Sequence, residues 1–197
     1  MDCQSVIIIM PPPTVKNVKA RIALGKKLDV IPDPPTSRVK WYSNFASLKL
    51  DHFAYVIFPK NGHINISGIR NFEEDILLSV RTIFAHLHPM VEDVNIASVV
   101  GNLIIDNSTA SGKLKVEGIR LSDLVKRAKT SSELLVSVRP HYFPSAVIRS
   151  CKKNCHHSRA GATIIVFANG KFIIVGARSP IEINSSYHRL CALTHQQ

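Results

Sequence analysis

The sequence predicts an α+β fold built from two diverged copies of one strand-rich unit, each an antiparallel sheet with helices on one face. Three observations carry this. The segment from Phe58 to Asn71 returns, with one residue fewer in its turn, as Phe167 to Ser179. In both copies an apolar strand leads in, Phe53 to Phe58 and Thr163 to Phe167, and an Asn-Gly pair turns the chain, Asn61-Gly62 and Asn169-Gly170; Asn-Gly between apolar runs is a strong hairpin signal. Each hairpin then runs through a second glycine into a capped, amphipathic helix. A duplication is sought first because missing it mis-assigns the whole fold.

The elements follow in order. Residues 1–13 form an N-terminal extension, 14–90 the first repeat and 91–197 the second. Val6 to Met10 is too short an apolar run to span a bilayer, and three prolines follow it, so no leader and no membrane span are read. A long strand opens each copy, Val15 to Leu24 and Val94 to Ile105. The connection after it differs: Pro32, Pro34 and Pro35 exclude an undisturbed helix in the first copy, whereas Ser122 to Lys129 can form one in the second. The helix closing the first repeat starts at Asn71 with Glu73, Glu74 and Asp75 in its first turn, and its apolar stripe is Ile76, Leu77, Val80, Ile83, Phe84 and Leu87. The helix closing the second starts with the capping box Ser179-Pro180-Ile181-Glu182 and carries Ile181, Ile183, Tyr187 and Leu190.

With 197 residues, 45% of them hydrophobic, the chain suits a compact globular protein. Its formal net charge of +11 favours a polyanionic partner, either nucleic acid or an anionic surface. Four cysteines in a chain of this size make no disulfide framework, which points to a cytosolic or nuclear setting. There is no Gly-rich phosphate loop, no H-E-x-x-H pair and no G-x-S-x-G elbow, so neither an enzyme nor a cofactor is expected. Cys151, Cys155, His156 and His157 lie close together, but their spacing is not that of a standard zinc knuckle. A hairpin insertion whose lysines add phosphate affinity is preferred over a metal site.

Several motifs, taken in order, resemble the core of the TATA-binding protein family over essentially the full length. Asn17-Val18 followed by Leu24-Gly25-Lys26-Lys27-Leu28-Asp29 is similar to the family's first opening strand and turn. Val116-Glu117-Gly118-Ile119, Tyr142-Phe143-Pro144-Ser145 and Ile165-Val166-Phe167-Ala168-Asn169-Gly170-Lys171 are similar to landmarks of its second repeat. The resemblance implies a saddle-shaped sheet that binds and bends duplex DNA through the minor groove, with helices on the convex face recruiting transcription machinery. It further implies that Phe45 and Phe58 in one copy, and Phe143 and Phe167 in the other, wedge between base pairs.

Alternation along the strands independently groups residues with these rings, since positions two apart share a sheet face. Ala54 and Val56 share a face with Phe58, and Thr163 and Ile165 with Phe167. The opening strands add Asn17, Lys19 and Arg21, and then Ser98, Val100 and Asn102; the return strands add Asn65 and Ser67, and then Ile173 and Val175. None of these is acidic, although the chain has 14 Asp and Glu. Small, apolar, amide and basic groups suit a minor groove that displays A·T acceptors. Lys19, Arg21, Lys49, Arg149 and Lys171 are the expected phosphate contacts.

The partners implied are A·T-rich promoter DNA, a transcription factor IIB-like protein, other initiation factors and RNA polymerase machinery. The protein is expected to act as a monomer on DNA, in the nucleus or at a site of viral transcription. Departures from the family's pattern are Lys19 in place of an apolar residue, Ser98 in place of an amide, and Arg139 and His141, beside Tyr142, in place of the acidic pair that meets transcription factor IIB. These motivate an alternative, a module of the same fold that no longer binds DNA specifically and instead occupies transcription-factor partners.

Overall fold

A computed structural model describes residues 11–28, 39–88, 90–115, 119–131, 134–139, 144–150 and 161–194. They fall into two compact units: one comprises Val15–Thr109 with Arg178–Pro180, and the other Ala110–Ala177, Ile181–Gln197 and Met1–Thr14. The first unit contains β1 (Thr14–Ala23), β2 (Val39–Trp41), β3 (Ala46–Lys49), β4 (Ala54–Phe58), β5 (His63–Ile69), α1 (Glu74–Leu87) and α2 (Ile96–Gly101). β6 (Ile104–Lys113) starts in the first unit and ends in the second. The second unit continues with α3 (Leu121–Thr130), β7 (Leu134–Arg139), β8 (Ser145–Ser150), β9 (Thr163–Phe167), β10 (Lys171–Ala177) and α4 (Pro180–Thr194).

The two units repeat one topology. Strand order runs β2-β3-β4-β5-β1 in the first and β7-β8-β9-β10-β6 in the second. The pairs within each series are antiparallel where their registers are defined. β4 and β9 share an identical alternation of half-buried and buried residues, and β5 and β10 share nearly the same one. The expected α+β fold of antiparallel sheet, helices and pseudo-symmetric repeats is therefore present, and α3 forms where the second connection could be helical.

In the first unit Val18, Ile22, Leu48, Tyr55, Ile57, Ile64 and Ile66 point from the sheet onto Val80, Ile83, Phe84 and Leu87 of α1. Each fully buried aliphatic side chain contributes about 1.5–3 kcal/mol. Leu77, expected in that stripe, is instead 37% exposed. The N-cap of α1 is Glu73 and not Asn71 as expected; Asn71 Oδ1 accepts from the Glu73 amide at 3.0 Å in the turn before the helix. In the second unit Phe172 stacks on Tyr187 of α4 with ring centroids 5.6 Å apart. Ile181, assigned to that helix's stripe from sequence, is exposed. Arg127 of α3 donates to the Leu193 carbonyl at 3.0 Å, satisfying one of the orphan acceptors in the last turn of α4. Among the described residues no helix is long and apolar enough to cross a membrane.

The opening strand of the second repeat lies further along the chain than the hydrophobic pattern predicts. Asn95 caps a helix there by accepting from the Ala97 and Ser98 amides at 2.9 and 3.2 Å, so Ser98 and Val100 lie on α2 and Asn102 at its C-terminus. None of these three is on a strand. The strand is β6, and its small polar run Asn-Ser-Thr-Ala-Ser hides the period-two signal. Matching the burial patterns of β1 and β6 makes Asn107, Thr109 and Ser111 the counterparts of Asn17, Lys19 and Arg21.

Candidate nucleic-acid interface

Each sheet turns one face to its helices and leaves the other open. In the first unit Ser47, Val56, Asn65 and Arg21 stand side by side across four strands, and Lys49, Ala54 and Ser67 form the next row. The second unit repeats this with Ser137, Val147, Ile165 and Ile173, and then Leu135, Arg149, Thr163 and Val175. The matching rows thus carry Lys49 in one copy and Arg149 in the other. Lys171 is exposed at the start of β10. The alternation deduced from sequence holds for β1, β4, β5, β9 and β10.

Phe45 and Phe58 meet at one end of the first unit's open face, ring centroids 5.7 Å apart and tilted by 40°. Both are half-buried. Phe45 enters β3 from the turn after β2, whereas Phe58 ends β4, and the four-residue turn Pro59 to Gly62 follows it. Gly62 at φ +64° closes that turn so tightly that a Cβ would stand 1.9 Å from the Lys26 carbonyl oxygen. In the second unit Phe167 is half-buried at the end of β9 and pairs with Ser145. Phe143, His141 and Tyr142 lie outside the described residues, as do Cys151 to His157; Arg139 ends β7, where its backbone pairs with Ser145.

Asn17 has a structural task that sequence does not reveal. The pairing of β1 with β5 shifts register between Val18 and Ala20, and Gly68, at φ +93°, stands beside this irregularity. Its amide donates to Asn17 Oδ1 at 2.8 Å, which leaves the side-chain NH₂ as a donor group. By burial pattern Asn107 of β6 matches Asn17, and Gly176 of β10, at φ +83°, matches Gly68.

Charge on the open face is basic, with one local exception. Arg21 pairs with Asp106 at 3.4 Å, both side chains being partly exposed. Beyond the end of that face Lys16, Lys19, Lys49, His52 and Arg70 line a cleft of about 380 Å³ with Asn17, Ser67 and one acidic residue, Asp51. Among the described residues none of Lys16, Lys19, Lys49 or Arg70 forms an ion pair. Lys16, His52 and Arg70 were not legible as site residues, since two lie in or after turns and Lys16 has the wrong parity for the open face. Four cations against the single carboxylate of Asp51 leave the cleft net positive, so it gains from a bound anion.

Comparison with known proteins agrees with this architecture. Residues 102–195 match the family model described as transcription factor TFIID, or TATA-binding protein. The structure is similar to that of the Methanococcus jannaschii TATA-binding protein, with a TM-score of 0.61 and 18% identity, covering 93% of this chain and 98% of that one. No curated protein matches in sequence. The chain thus has the TATA-binding-protein fold.

Proposed function

We propose that the protein is a transcription initiation factor that binds A·T-rich duplex DNA through the minor groove and bends it. The observation that carries this reading is the Phe45–Phe58 ring pair at the end of an open sheet face bearing Lys19, Arg21 and Lys49. Aromatic side chains inserted between base pairs unstack them at a cost of about a few kcal/mol per step, offset by the surface that bent DNA then contacts. This mechanism is the family's, carried over by the resemblance.

Each group has a distinct part. Phe45 and Phe58 form one wedge, and Phe143 with Phe167 the other. Val56, Ile165, Ile173 and Val175 lie against sugars and base edges, with Asn65 and Ser67 beside them. Asn17 and Asn107 offer amide donors to the A·T acceptors. Lys19, Arg21, Lys49, Arg149 and Lys171 neutralise phosphates, joined by Lys16 and Arg70 from the basic cleft. The protein acts as a monomer in the nucleus, or at a site of viral transcription, and hands the bent promoter to a transcription factor IIB-like partner, other initiation factors and the polymerase. Arg139, His141 and Tyr142 form the surface that meets the IIB-like partner; its basic character calls for an acidic counterpart.

The alternative of a partner-occupying module without specific DNA binding loses one of its motives. It counted Ser98 as a lost amide, whereas the residue matching Asn17 is Asn107. The deciding experiment is energy transfer between dyes at the ends of A·T-rich and scrambled duplexes across a salt series. A bend confined to the A·T-rich duplex, with a steep salt slope, supports promoter recognition. Equal, unbent binding to both duplexes overturns it.

A further inference from the structure

We propose that Tyr42 is a base-stacking residue: its ring, held against Phe45, receives a nucleobase unstacked from the duplex beside the step that Phe45 and Phe58 open. The inference rests on the DNA-bending reading and extends it to a side chain outside the wedge. Tyr42 lies parallel to Phe45, with ring centroids 4.4 Å apart and an interplanar angle of 21°, yet it is 51% exposed. With Phe45 in turn 5.7 Å from Phe58, three rings form a series whose outermost member is open to solvent.

The platform is held in place before any ligand arrives. The Tyr42 amide donates to the Phe45 carbonyl at 2.9 Å, which closes the turn between β2 and β3. Lys60 Nζ donates to Asn44 Oδ1 at 3.4 Å, tying that turn to the one after Phe58. The two turns therefore present three rings and one ammonium group together. A pre-ordered exposed ring beside a cation is the combination by which proteins take up unstacked bases without regard to their identity. Little ordering entropy remains to be lost on binding, because the backbone and the neighbouring ring already restrict Tyr42.

The test uses the full chain and an A·T-rich duplex in which single thymines are replaced by 5-iodouracil, whose photochemistry joins it to an aromatic ring in stacking contact. Dyes at the duplex ends report the bend in the same samples. The expected result is a crosslink from one position near an end of the bent segment to Tyr42. Tyr42→Ala should abolish it and weaken binding about tenfold, while the bend at saturation stays close to wild type. Tyr42→Phe keeps the ring and should keep affinity.

If Tyr42 merely props Phe45, Tyr42→Ala would reduce the bend itself, and no position would crosslink to residue 42. That outcome overturns the proposal while leaving the bending reading intact, as do crosslinks to Phe45 and Phe58 alone. A wild-type protein that leaves the duplex straight overturns both.

Discussion

Replacing Phe45 and Phe58 together with alanine tests whether the rings act as a wedge or as a corner of the core. Both are half-buried, so each truncation removes about half of the 1.5–3 kcal/mol that full burial of a large apolar side chain contributes. The loss of the contact between the rings, 5.7 Å apart, adds about 0.5–1.5 kcal/mol. The total, about 3 kcal/mol, is smaller than the 5–15 kcal/mol that holds a typical domain together. The double variant should therefore fold, with a lowered thermal midpoint. On DNA the consequence is much larger, because a duplex kinked at only one end loses roughly half of its bend. End-to-end energy transfer on the A·T-rich duplex measures this directly, and Phe45→Leu with Phe58→Leu serves as a control that keeps an apolar wedge. A folded alanine variant that bends DNA as the wild type does would refute the wedge.

Further outcomes can be measured in the same way. Asn17→Ala leaves the Gly68 amide without its acceptor and should cost about 1 kcal/mol, seen as a drop of a few degrees in thermal midpoint; an unchanged midpoint would remove its structural role. Lys16→Gln combined with Arg70→Gln should lower the slope of log affinity against log salt by about 2 without changing the bend, and an unaltered slope would exclude the cleft from phosphate contact. Gly112→Ala would put a methyl carbon 2.6 Å from the Phe172 ring, which cannot retreat because it stacks on Tyr187; a loss of about 1–3 kcal/mol is expected in a denaturant titration. Burial pushes the Tyr187 hydroxyl up to about 12, helped by Cys191, and it raises Tyr55 too. Between pH 10 and 12 the folded state keeps a proton that the unfolded chain has released, so stability should fall as pH rises through that window, less steeply in Tyr187→Phe. A flat midpoint across that range would contradict the assignment.

How far the sequence could be read follows from where its signals are strong. β4, β9 and β10 are short apolar runs and β5 alternates, with Asn-Gly turns between them, so the hairpin signal located these strands and period two assigned their faces. α3 was legible for the same kind of reason, as an amphipathic run between turns. β6 was not, because its open positions Asn107, Thr109 and Ser111 alternate with Ser108 and Ala110, which are small enough to be buried without looking hydrophobic. The nearby run Val94 to Ile105 is richer in apolar residues and therefore drew the strand assignment, although Asn95 is a helix cap.

The same difference separates the two kinds of site residue. A wedge must be large and apolar, so a candidate is marked by its type and its place in a repeat, as Phe45, Phe58 and Phe167 are. A phosphate contact needs only a cation on a flexible stem, and any exposed lysine satisfies that description. Lys16, His52 and Arg70 become distinguishable only once the turn between β3 and β4 brings them around one cleft with Lys19 and Lys49. Arg21 shows the converse: its type and parity mark it for phosphate, but Asp106, 3.4 Å away on the neighbouring strand, already occupies it. An exposed pair of this kind is worth about 0–1 kcal/mol, which a phosphate can readily overcome. On the DNA-binding reading Arg21 must exchange one anion for another, so Asp106→Asn should strengthen DNA binding in a low-salt titration and cost no more than about 1 kcal/mol of stability.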